Sequence, residues 1–158
     1  MVPPAAISGA MAPVDETFAL YAASSGFAQV EGARMVLKSS RRNEVRDFVQ
    51  KLARDHGQSL DELRRIVAPR GLKLPPSPSG RHADMVTKLS GVAAGDLDEA
   101  FLQRFGVDAH KETIALYERH AAEGQDPALK KHAQSALATL REHLASAQKL
   151  VHAPGSPR

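Results

Sequence analysis

Apolar residues recur every three or four positions through four long stretches of the chain, and the sharpest repeat runs from Arg42 to Val67. There Val45, Val49, Leu52, Leu60, Leu63 and Val67 fall on one helical face, and His56 continues that stripe midway between Leu52 and Leu60. Upstream, Asp15 reads as a helix cap, and helical spacing runs through Phe18, Tyr21, Ser25, Ala28, Gly32 and Met35 to about Ser39. A second row of that helix, Leu20, Ser24, Phe27, Glu31 and Met35, sets Glu31 between apolar neighbours. Asn43 reads as the cap of the second helix, which Pro69 and Gly71 end near Val67.

The run from Leu72 to Gly80, with three prolines, predicts a rigid extended connection, followed by a short helix from Arg81 to Ser90. Asp96 opens a third long helix with Leu102, Gly106, His110, Ile114, Tyr117 and Ala121 on one face. Asp126 followed by Pro127 is a cap with proline at the first helical position. The helix after it carries Leu129, Ala133, Ala136, Leu140, His143, Ala147 and Leu150 as an inward seam to about Val151. Short turns after the first and third long helices, and a longer connection between, predict an all-α, up-down-up-down antiparallel four-helix bundle with an extra short helix between its second and third members. The expected organisation is a flexible leader at 1–13, a bundle domain at 14–152 and a flexible tail at 153–158.

Composition supports helices and removes several chemistries. Hydrophobic residues make up 42% of the 158, with two Tyr, five Phe and no Trp, so the core is built from small aliphatic side chains suited to close helix packing. The 21 basic residues are interspersed with 18 acidic ones, which describes a solvated helical surface. The basic run from Arg34 to Arg46 has no interleaved aromatics to stack bases, which argues against nucleic acid as a partner. Absence of cysteine excludes disulfides, zinc–thiolate sites and cysteine nucleophiles, so any metal must be held by nitrogen and oxygen. No run approaches the ~20 apolar residues of a membrane span. The N-terminal tract lacks the basic start and apolar segment of a signal peptide, although Ala10-Met11-Ala12 has the form of a cleavage site.

Against that background the histidines stand out. His56, His110 and His143 each lie near the middle of a different helix, on its apolar side. At about 1.5 Å of rise per residue, His110 lies about 21 Å before the third turn and His143 about 25 Å after it, within one helical turn of each other. Glu31 is the candidate fourth ligand from the first helix, with a height mismatch of roughly 7 Å to absorb. Asp55 and Tyr117 are candidates to orient an imidazole. Gly32, Gly57 and Gly106 beside these positions fit close backbone approach or room for a bound group, and plain tight packing equally. Residues three before the histidines are Ala53, Val107 and Leu140, so the Glu-x-x-His pairs of di-iron centres are missing. A mononuclear site of three nitrogens and one carboxylate, suited to zinc, copper or iron as a divalent ion, fits better. Haem held by two of the histidines stays open. His120 and His132, flanking the third turn, read as solvated, or else as a second surface site.

Several short motifs resemble one bacterial family when taken together. They are Glu31; Arg54-Asp55-His56 followed by Leu60 and Leu63; Leu74-Pro75; Asp98 with Phe101-Leu102 ahead of His110; and Leu116-Tyr117-Glu118. To these are added Asp126-Pro127-Ala128-Leu129-Lys130 and Leu140-Arg141-Glu142-His143-Leu144. From about residue 15 to 151 the chain resembles the domain-of-unknown-function 4142 family. That resemblance implies a ferritin-like four-helix bundle, usually exported to the periplasm or cell envelope, with no established reaction. Its acidic and histidine positions fall on Glu31, His56, His110 and His143.

The leading expectation is a periplasmic or envelope metal-binding bundle in metal handling or stress response, with a His/Glu site in its core. The alternative is a metal-free helical interaction module whose histidines are simply packed and whose protein partner is unknown. Nothing in the sequence marks a substrate pocket, so a metal-dependent enzyme is the least favoured reading.

Overall fold

The computed structural model describes residues 10–151; of the expected leader at 1–13 residues 1–9, and the whole expected tail at 153–158, lie outside the described residues, while Met11 is buried and Pro13 already belongs to the first helix. Helix α1 spans Pro13–Ser39 and α2 spans Asn43–Val67, followed by a 3-10 turn at Ala68–Arg70. Helix α3 covers Gly80–Ser90 and α4 covers Leu97–Phe101, which continues through a π-helical segment, Leu102–Asp108, into α5, Ala109–Glu123. Helix α6 is Pro127–Val151. No strand occurs among the described residues.

Three helix starts depend on different chemistry. Pro13 occupies the first turn of α1, where its missing N–H costs nothing, and Ala12 rather than Asp15 is the capping residue. The N-cap of α2 is Arg42, one residue before the expected Asn43, and no side chain caps it. Asp126 does cap α6, its Oδ1 accepting from the Leu129 amide at 3.0 Å. Asp15 is spent elsewhere: its carboxylate accepts from the backbone amides of Gln125 and Asp126 and from Nε2–H of His120, tying the start of α1 to the α5–α6 turn.

Hydrogen bonds between helices fix their directions. From α1 to the α4–α5 unit they join Asp15 with His120, Ser25 with Thr113 and Gln29 with Phe105, an antiparallel pairing. From α2 to α6 they join Glu62 with His132 and Asp55 with His143, also antiparallel. With short turns making α1 antiparallel to α2 and α5 to α6, the order becomes up-down-down-up, and the up-down-up-down expectation is overturned. The reason is the long connection. It leaves α2 where Arg70 pairs with Asp126, passes mid-α1 where the Ser79 amide donates to Ser24 Oγ, and finishes where Ser40 donates to Asp98. It therefore climbs most of α1, about 40 Å long, instead of turning back at the end where α2 stops.

Two apolar cores result. One gathers Phe18, Ala22, Leu60, Leu63, Ile114, Leu129 and Leu140, and the other Val36, Val49, Leu52, Phe101, Phe105 and Ala147. On each of the three helices that carry His56, His110 and His143, buried residues of one core precede the histidine and those of the other follow it, so the histidines occupy a layer between the two cores. Small residues allow the approach: a Cβ on Gly106 would stand 2.7 Å from that of Ala147, and one on Gly32 would stand 2.8 Å from the Phe101 ring. Gly57, by contrast, faces open space.

Candidate metal centre

Each histidine enters the layer from its own helix, α2, α5 or α6, as the periodicity predicts. Their relative exposures are 8% for His56, 1% for His110 and 3% for His143, and one nitrogen from each lies within 4.8 Å of the others. The ring centroids form a nearly equilateral triangle of 5.3 to 5.4 Å.

The outer contacts of two rings decide which nitrogens are free. His110 donates from Nδ1 to the Phe105 carbonyl at 2.7 Å, so its Nε2 carries a lone pair. His143 donates from Nε2 to Asp55 Oδ2 at 2.8 Å, so its Nδ1 carries the lone pair, and that atom is buried without a hydrogen-bond partner. Nε2 of His56 lies 3.4 Å from Nε2 of His110. A carboxylate or carbonyl behind an imidazole is how metal-binding histidines are usually oriented.

The π-helical segment explains why the Phe105 carbonyl is available. The Ala109 amide reaches back five residues to Arg104 instead of four to Phe105. Released in this way, the Phe105 oxygen accepts from His110 Nδ1 and from Gln29 Nε2 at 3.0 Å. Such segments within helices are frequent at functional sites. Neither the π segment nor Gln29 is legible from spacing, since an apolar repeat drawn at 3.6 residues per turn passes through the extra residue without a visible break.

Electrostatics keep the layer neutral. Burial, then the nearness of His110 and His143, hold His56 well below the ordinary imidazole value. Burial brings His110 to about 4, opposed by its bond to the Phe105 carbonyl and reinforced by His143. His143 is also lowered by burial, against the pull of Asp55. Burial works against the charge of Asp55 itself, but hydrogen bonds from Lys51 and His143 outweigh it and keep that carboxyl below its usual range. Neutral imidazoles are the form that binds metal.

Other candidates fare differently. Glu31 does not join the group. It lies nine residues from Ala22, about half a turn around α1 at 100° per residue, and Ala22 and Gly26 are the residues this helix turns toward His56. Asp55 orients an imidazole, but that of His143 across the helix interface and not its sequence neighbour. Tyr117 is buried, with burial raising its phenol and Tyr21 adding to the effect, and its ring stands 6.2 Å from His132. No described hydrogen bond links it to His110. His120 and His132 are not solvated: each is 3% exposed. His120 stacks on Phe18 and donates to Asp15, whereas His132 donates to Glu62, so the two do not form a shared site. Part of the basic run also turns inward, with Arg42 buried against Glu44 and Glu99.

Beside the layer lies a polar vestibule of about 200 Å³ that reaches His56 and His143 between α2 and α6. The molecule is thus an all-helical domain with three convergent, buried, neutral histidines next to a polar cavity. The family model described as Domain of unknown function (DUF4142) matches residues 1–150, and the chain belongs to that family. A crystal structure of a DUF305 fragment from Deinococcus radiodurans shares the helical fold, with a TM-score of 0.76 at 16% identity over 90% of this chain and 97% of that one. A search of curated proteins finds no match.

Proposed function

We propose that His56, His110 and His143 bind one divalent transition-metal ion, and that the protein serves in metal handling or stress response in the periplasm or cell envelope. The observation that carries this reading is the convergence of three buried imidazoles, one nitrogen of each within 4.8 Å of the others, with the His143 ring fixed by Asp55. Nδ1 of His143, like Nδ1 of His120, is buried without a hydrogen-bond partner, which costs desolvation, but His143 alone of the two has other imidazole nitrogens close enough to share an ion. Three neutral nitrogen donors and no thiolate suit zinc, copper(II) or iron(II), and the lack of a carboxylate pair in the group argues against a di-iron centre. The up-down-down-up order with one long crossover supports a ferritin-like four-helix bundle. The cysteine-free sequence is compatible with export, and cell fractionation tests the location.

Elemental analysis of protein purified without chelators, followed by titration with zinc, copper and iron, tests the central claim. One equivalent is expected in the wild type and none in a His56→Ala His143→Ala variant of unchanged helical content. No uptake by the wild type overturns the reading and leaves the metal-free interaction module.

A further inference from the structure

The walls of the vestibule have a pattern that tight packing does not require. On α2 the residues facing it include Asp55, Ser59 and Glu62, and on α6 His132, Ser135, Thr139 and His143. These are spaced by three and four, so each set is one face of its helix. Oxygen and nitrogen donors thus run beside Ala136 and Leu140 along the α2–α6 seam, over about 16 Å between His132 and His143. No lysine or arginine lines the vestibule.

The two ends of the seam differ. At the outer end Glu62 has a half-exposed side chain, held by Nδ1–H of His132 at 2.6 Å, and the Ser59 hydroxyl lies 3.4 Å from Nε2 of the same ring. At the inner end Asp55 is already paired with Lys51 and His143, and Nδ1 of His143 is buried without a partner. Toward α1, the small cavity touching His56 holds only about 10 Å³, room for one water and not for a hydrated cation.

We infer that this polar seam is the route by which a divalent cation enters and leaves the histidine layer, with Glu62, oriented by His132, as its outer landing point. The inference rests on the metal-binding reading and adds a path to it. A negative group at the mouth of a low-dielectric cleft raises the local cation concentration. The rungs of Ser59, Ser135 and Thr139 offer oxygen donors that replace shed waters stepwise, so the ion is never stripped in one move. The chemistry selected is a small hydrated divalent metal ion, since anions meet two carboxylates and bulky ligands do not fit the volume.

Cobalt(II) uptake and release, followed by visible absorption in a stopped-flow instrument, test the route in the full chain. Glu62→Gln removes the outer charge at a half-exposed position, and Ser135→Met narrows the seam at an exposed one. Ser135→Met is expected to slow uptake and chelator-driven release by the same factor, about 5-fold or more, leaving Kd unchanged. Glu62→Gln is expected to slow uptake several-fold with a salt dependence weaker than that of the wild type. Wild-type rates in both variants overturn the route while leaving the metal site standing. Absence of cobalt uptake by the wild type overturns both the route and the metal site.

Discussion

Asp55 Oδ2 accepts a hydrogen bond of 2.8 Å from Nε2 of His143, a residue 88 positions away on another helix. This contact fixes the tautomer and leaves the lone pair of His143 on its buried Nδ1. Replacing Asp55 with alanine removes the orienting acceptor without touching a proposed ligand. Metal affinity is expected to fall by about 10- to 100-fold, read as a right-shifted cobalt or zinc titration, with helical content retained. An unchanged titration would show that Asp55 only anchors Lys51.

The neutral histidines set the sign of the pH response. In the folded chain His110 titrates at about 4, below its unfolded value of 6.5, and His56 and His143 are also lowered. Between those values the unfolded chain takes up more protons, so stability falls as pH drops through 6.5 toward 4 and is flat above about pH 7 from these groups. Thermal midpoints of metal-free protein from pH 5 to 8 check this, and a His110→Gln variant should show a shallower fall. A midpoint that rises on acidification would contradict burial of neutral rings.

Gly106 of the π segment packs directly against Ala147 of α6. Gly106→Ala is expected to destabilise the fold by about 1–3 kcal/mol, because the new methyl meets the Ala147 Cβ. Adding Ala147→Gly should recover part of that loss, and chemical denaturation of the single and double variants gives the coupling. Additive effects would show that the strain lies elsewhere.

Asp15 accepts three hydrogen bonds in a buried setting. Asp15→Ala leaves two amides and the His120 ring without that acceptor and is expected to cost about 2–4 kcal/mol. Hydrogen exchange should rise first at the α5–α6 turn. Protection lost uniformly along the chain would count against a local tie.

Legibility in the sequence followed the kind of interaction involved. Amphipathic periodicity located the long helices and put three histidines on inward faces, because one face of each helix must be buried. It also nominated the three residues that the structure brings together. Direction was not legible: the three-proline connection was visible, but whether it turns back or climbs α1 depends on the contacts of Ser24 and Ser40, which have no periodic signature. Glu31 looked inward because apolar neighbours flank it on one row, yet α1 contacts partners on several sides and its row is not the one facing His56. Gln29 and the burial of His120 and His132 were missed because each depends on a hydrogen bond between residues far apart in the chain, and the π segment because its extra residue leaves the apolar repeat unbroken.

The polar layer between the two apolar cores also acts as a ruler. Sliding α2 by one turn would set Leu52 or Leu60 beside His110 and push the His56 ring into aliphatic packing, stranding its nitrogens and leaving Asp55 out of step with His143. Small aliphatic seams alone tolerate such slips, because one alanine or leucine rung resembles the next. A single level at which only imidazoles match gives the helices one register in which every rung agrees, whether or not an ion is bound.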